Sequence, residues 1–443
     1  MNGRYRGLGR FLSLVLVLTV LCSGVALADC ATDTLEGEIT FWHSFTQGAR
    51  MEAIKAAAEQ FMQLHPQVKI NIETFSWGDF NKKWNAGLTS GDLPDMSTAQ
   101  NTAEVVQMIN AGVLVPVDDL VDAIGRDRFA TNALEDMSQE GAGYAVPYYS
   151  HAQVMWFRKD LLDKAGLEVP STWEEFYNAA VALTMGDTYG AAFSCSVNDL
   201  LCARYLNYYV RSGGGSLLTE DLKANLTSDI ALEGINFWLN VYRNCSPAET
   251  INYTVLDHSK LFYQGITAFD FNSGFMISGV QSNSPDIAQY VDCVPLPKLK
   301  AGDPDYSAEA THIPLTVWKN SAHPEVCKAF IQYLYQEDNY IKFLEAVPVG
   351  MLPALSDIKA NPTYLANPTV QQFSHSVDVI SQAITLGRAI GFEHGASAQA
   401  SYLTSQGVIE AMFQDIITNN TDVETAAKAA EDKLNEIFDT MIG

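Results

Sequence analysis

At 443 residues the chain is long enough for two bodies rather than one core. Its 52 acidic residues against 27 basic ones give a formal net charge of −25. That balance argues against nucleic acid and against anionic lipid, whose phosphates are met by Lys and Arg, and otherwise reports on solubility.

Residues 1–28 read as an export signal. Arg4, Arg6 and Arg10 precede an apolar run, 11–21, broken only by Ser13 and Thr19, and Ala26, Leu27 and Ala28 form a small-x-small cleavage site. The run is too short for a permanent span, and neither Cys22 nor Cys30 follows the small residue that lipid anchoring prefers. The expected location is periplasmic or otherwise extracytoplasmic. Cleavage would remove three arginines and no acid, leaving the chain more acidic still.

Residues 37–95 alternate strand, helix, strand, helix, strand, which builds a parallel sheet. The first strand ends at Trp42, His43 and Ser44. Ligands of open α/β sheets bind at such carboxyl ends. A short strand at 96–99 and a helix at 104–111 follow. Tyr144 to Pro147 is extended because a residue before proline is pushed out of the helical region. Residues 148–150 read as a crossover and 154–157 as a strand. A helix at 173–183 is capped by Ser171 or Thr172, with Glu175 in its first turn. Residues 190–194 read as a strand, 200–210 as a Tyr-rich helix, and Ser228 or Asp229 caps a helix to Arg243. Strands are expected at 267–271 and 311–318, a polar loop at 295–305, and helices dominate from Val370 onward. The fold class is therefore α/β.

Six of the seven cysteines lie beyond the leader: Cys30, Cys195, Cys202, Cys245, Cys293 and Cys327. An even count in an exported chain permits disulfides. Cys195 with Cys202 is the expected pair, and Cys245 with Cys293 a second. No C-x-x-C pair or His cluster points to zinc, and no cofactor or metal is expected. H-E-x-x-H, G-x-S-x-G, Walker and G-x-G-x-x-G motifs are all absent, so the chain is not read as an enzyme, although scattered carboxylates keep a secreted carbohydrate hydrolase as the rival class.

Several motifs occur together and in order: Ile39-Thr-Phe-Trp-His-Ser44, Trp77-Gly-Asp-Phe80, Ser90-Gly-Asp-Leu-Pro-Asp95, Tyr144-Ala-Val-Pro-Tyr148, Val154-Met-Trp-Phe-Arg-Lys-Asp160, Pro170-Ser-Thr-Trp-Glu-Glu-Phe176 and Val349-Gly-Met-Leu-Pro353. This ordered set resembles the extracellular solute-binding proteins of carbohydrate ABC importers, the group of maltose-, polyol- and glycerol-3-phosphate-binding proteins. The resemblance covers nearly all of 37–443. It implies a two-lobed periplasmic-binding-protein fold with a hinge and an interlobe ligand cleft. By that analogy lobe one holds 31–147 with 311–360, and lobe two 148–310 with 361–443. It also implies a monomer that delivers a small carbohydrate or polyol to an inner-membrane ABC permease.

A sugar presents a hydroxyl rim and apolar C–H faces, so its site needs aromatic platforms and polar edges. Lobe one offers Trp42, His43, Ser44, Trp77, Phe80, Asp95 and Asn101. Trp42 reads equally as core, Asp95 as a cap, and Trp77 as a staple of its helix. The crossover offers Tyr149, Ser150 and His151. Asn272, Ser273 and His312 stand at strand ends, Gly350 and Met351 match a family turn, and Arg388 lies with Glu393 and His394 in a break between helices. Phosphorylated-glycerol binders of the resembled group carry Tyr where this chain has Phe80 and Met351, and Glu where it has Asn101. The expected ligand is therefore neutral, with a glycerol-3-phosphate or phosphodiester binder as the alternative.

Overall fold

The structure is a computed structural model that describes residues 35–46, 48–304 and 308–442. The leader and Cys30 lie outside the described residues. Strand β1, Gly37–His43, shows the two-residue period of a pleated strand: Ile39 and Phe41 enter one core, and Trp42 enters another on the opposite face. It pairs in parallel with β2, Val68–Thr74, and with β3, Met96–Thr98. The helical crossovers are α1, Gly48–Leu64, and α2, Trp77–Ser90. Helix α2 starts at its Ser76 cap and ends on Gly91, whose φ of 80° suits glycine. Helix α3, Thr102–Asn110, follows β3.

Strand β4, Val146–Ala152, runs on through the expected crossover, and β5, Val154–Arg158, starts after Gln153 alone. Strands β6, Phe269–Asn272, and β7, Val291–Val294, flank β5 in a three-stranded antiparallel sheet. Strand β8, Ala310–Val317, and β9, Leu352–Pro353, complete a six-stranded sheet of order β9-β4-β8-β3-β1-β2. The β4–β8 ladder slips between Ile313 and Pro314, where proline cannot donate. The chain thus leaves the larger sheet at Gln153, later than the crossover expected near Pro147, and re-enters it at Ala310.

Around the smaller sheet pack the helix Trp173–Leu183, α4 at Leu201–Ser212, the helix Asp229–Cys245, α5 at Val255–Tyr263, the helix Ser374–Leu386, α6 at Ala398–Ser405 and α7 at Val408–Asn419. Thr172 forms the capping box expected with Glu175. Residues 190–194 form no strand. Tyr189 makes one isolated bridge to Thr267, and Gly190 presses on the preceding helix, where a Cβ would lie 2.2 Å from the Ala180 oxygen.

An aromatic core gathers Trp173, Phe176, Tyr205, Trp238 and Phe271 on the smaller sheet. Ala103 and Val106 of α3 join that core, although α3 follows a strand of the larger sheet. Among the described residues no helix is long and apolar enough to cross a membrane.

The expected disulfides are not formed. Cys195, Cys202, Cys245 and Cys293 are buried free thiols. Cys195 Sγ donates to the Glu410 carbonyl at 3.4 Å, and Cys202 Sγ to the Ser194 carbonyl at 3.5 Å. Burial, with Cys195 as neighbour, pushes the Cys202 thiol well up, which keeps it protonated.

Candidate functional site

A cleft of about 40 Å³ lies between the larger sheet and helices that pack around the smaller one. The larger sheet supplies His151 from β4, Thr311 from β8, and Trp77, Gln100 and Asn101 from the starts of α2 and α3. Arg204 of α4 and Thr404 of α6 face them from the helical side, and Glu309 stands at the crossing into β8. Pockets that hold small ligands run to several hundred Å³, so the cleft as it stands is smaller than a bound sugar requires.

One wall is organised by a buried carboxylate. Glu104 accepts from the Gln100 backbone N–H at 2.6 Å and from Trp84 Nε1 at 2.8 Å. Asn101 Oδ1 accepts from Glu104 N at 2.8 Å as the cap of α3, and the Gln100 side-chain amide donates to the Trp77 carbonyl. The floor is His151. It is half-buried, and its Nδ1 has no partner. Burial, then the charges of Arg204 and Arg50, push its pKa down to about 3. The imidazole is therefore neutral, and its Nδ1 is an unspent hydrogen-bonding atom in a residue that lines the cleft. Behind it Ser150 Oγ lies 2.8 Å from His312 Nδ1, and burial pushes His312 down to about 4.

Arg204 and Glu309 form a paired charge at the edge of the cleft. Nε lies 3.0 and 3.1 Å from the two carboxylate oxygens and Nη2 lies 2.9 Å from Oε1. The Glu309 backbone is itself pinned, because Gln153 N donates to its carbonyl at 2.9 Å. The Ser401 hydroxyl of α6 donates to Gln107 Oε1 of α3 at 3.1 Å, so the two sides also touch directly.

Of the residues expected from the sequence, Trp77, Asn101 and His151 line the cleft. Trp42 and Phe80 are core, with Phe75 edge-on to Trp42 at 5.1 Å. His43 is fully buried. It stacks on Phe45 at 5.0 Å and accepts the Phe45 N–H at 3.1 Å, and burial pushes it down to about 4. Ser44 is buried beside it. Asp95 accepts from Thr40 N at 2.7 Å, which ties it to the middle of β1 rather than to the carboxyl ends. Tyr149 is buried and accepts from Arg50 at 3.0 Å.

On the other side, Asn272 Nδ2 lies 3.2 Å from His258 Nε2, and its Oδ1 accepts from Ser273 N at 3.1 Å. Met351 is core, and the Gly350 turn meets residues 273–275 instead of the cleft: a Cβ on Gly350 would lie 2.9 Å from Phe275 Cα. Arg388 is exposed, and its charge acts on Asp136. Arg204, Glu309, Thr311 and Thr404 carried no local signal. The separation of 105 positions between Arg204 and Glu309 is closed only by the fold.

A larger groove, about 360 Å³, is lined by Leu256, Lys260, Tyr263 and Phe275. It lies on the side of the smaller sheet alone, between α5 and the helix Met276–Asn283, and holds no charged pair.

A profile of the bacterial extracellular solute-binding proteins matches residues 46–341. A lactose-binding protein of Rhizobium radiobacter is 24% identical over 70% of this chain and 73% of its own. An ABC transporter solute-binding protein of Agrobacterium radiobacter, solved with ribitol, superposes with a TM-score of 0.78 at 19% identity, covering 91% of this chain and 100% of that one. UgpB of Mycobacterium tuberculosis, solved with glycerophosphocholine, gives 0.73 at 20% identity over 92% and 100%. The fold is the two-lobed one these structures share.

Proposed function

The chain belongs to the bacterial extracellular solute-binding proteins, and we propose that it captures a small carbohydrate or polyol between its lobes and hands it unchanged to an ABC permease. One observation carries the reading. His151, whose buried Nδ1 has no partner in the protein, lines a cleft edged by Trp77, amides and hydroxyls, the chemistry a polyol needs. The lactose- and ribitol-binding relatives support the solute class.

Sheet membership supports placing the lobe boundaries at Gln153 and Glu309, with strands β1–β4, β8 and β9 in one lobe and β5–β7 in the other. Residues 1–28 direct export, so the protein works outside the cytoplasm. It acts as a monomer, without nucleic acid. The alternative, a glycerol-3-phosphate or phosphodiester ligand, is favoured by one relative.

A thermal-shift screen of sugars, polyols and glycerol phosphates tests this, since a ligand of the folded state raises its melting temperature. Recovery of the solute intact supports a carrier. A hydrolysed product would make the protein a secreted hydrolase.

A further inference from the structure

A cleft that takes a neutral solute must also refuse the same solute carrying a phosphate or carboxylate. Resting on the carbohydrate reading, we propose that the Arg204–Glu309 pair is this cleft's charge filter and excludes anionic solutes. Among the described residues, these are the only charged side chains that line the cleft. A guanidinium captures an anion through two parallel N–H groups, and here Nε donates to both Glu309 oxygens while Nη2 lies 2.9 Å from Oε1. An arriving anion therefore meets a neutralised cation and a carboxylate beside it.

That carboxylate cannot swing aside at little cost. Its side chain is 2% exposed and that of Arg204 is 13% exposed. The Glu309 carbonyl accepts from Gln153, and the neighbouring Ala308 and Ala310 are bonded to the Arg388 backbone. Separating the pair would leave two buried charges unpaired. A neutral solute faces no such conflict. The Thr311 and Thr404 hydroxyls and the Asn101 amide line the cleft, so groups that can meet a solute's hydroxyls are present. Asn101 and Gln100 add fixed dipoles and no charge.

The test uses probes that differ only in charge: ribitol and ribitol 5-phosphate, glucose and glucose 6-phosphate, glucose and glucuronate, titrated calorimetrically into the purified protein. The neutral member should bind about tenfold or more tightly than its anionic partner, because a like charge set against a buried carboxylate is strongly disfavoured. Glu309→Gln frees the arginine charge and should narrow the ratio by about tenfold or invert it. If that variant does not fold, the double variant Arg204→Gln with Glu309→Gln removes both charges together and should bring the ratio toward unity. Equal binding of both members by the wild type, or a ratio unmoved in the folded variants, overturns the filter and leaves the carbohydrate reading standing. Binding of neither series overturns both.

Discussion

Ser401 reaches across the cleft to Gln107: the hydroxyl of α6 donates to the amide oxygen of α3 at 3.1 Å. The contact joins α3 and α6 directly, beside Ala103 and Val106, which share a core with Ala400 and Leu403. A bond between groups on two sides of the cleft favours whichever conformation lets it form, with or without a solute.

Ser401→Ala should therefore open the protein. Loss of one neutral hydrogen bond costs about 0.5–1.5 kcal/mol, and a closed state reduced by that amount lowers apparent affinity roughly two- to tenfold. Small-angle scattering should give a larger mean radius of gyration for the variant than for the wild type. An unchanged radius and affinity would mean that the contact does not bias closure.

His151→Ala should weaken solute binding roughly two- to tenfold while the melting temperature barely moves, since Nδ1 bonds to nothing in the protein. With a pKa pushed down to about 3, the imidazole stays neutral from pH 8 to pH 5. Wild-type affinity should be flat across that window. A titration step near pH 6.5 in the wild type that vanishes in the variant would place His151 in a more solvated setting.

His43→Ala should do the reverse. The ring is fully buried, stacked on Phe45 and bonded to its backbone, so removal should cost roughly 2–4 kcal/mol of stability. Folded molecules should retain their affinity. Weakened binding with no loss of stability would return His43 to the ligand site.

Glu410 offers a pH test of the core. It is fully buried; Oε1 accepts from Ala203 N at 3.0 Å, Oε2 has no partner, and burial pushes the carboxyl up to about 8. The folded protein holds a proton there that the unfolded chain releases near pH 4.3. Its contribution is complete below that pH, declines as pH rises, and is lost once pH passes about 8. Glu410→Gln should melt close to the wild type at pH 5 and above it at pH 9. A difference that is constant with pH would contradict the assignment.

The first βαβ unit was legible because its signals are local: the strand–helix–strand alternation over 37–95 can be read without any distant contact. The ordered motifs carried the two-lobed fold. The cleft was legible only in part. A strand-end aromatic such as Trp42 has the same sequence signature whether it faces a ligand or a core, and here the pleat turns it into the core. Asp95 and Asn272 look like ligand groups but satisfy backbone N–H groups nearby. Arg204 and Glu309 meet only because the chain crosses twice between the sheets, and no local pattern encodes that meeting. Cys195 and Cys202 are close in sequence, yet each thiol points its hydrogen at a carbonyl.

Where the chain crosses between its sheets, β4 and β8 run side by side from Val146 to Ala152, and the bond from Gln153 N to the Glu309 carbonyl extends their pairing one step further. Two strands laced together bend across their flat face far more readily than they slide or splay within it. The joint should therefore behave as a flap with one axis, not as a ball and socket. Every opening stroke would retrace every closing stroke, so Ser401 returns to Gln107 in the same alignment each time, and the outer face offered to a membrane partner would depend on a single angle.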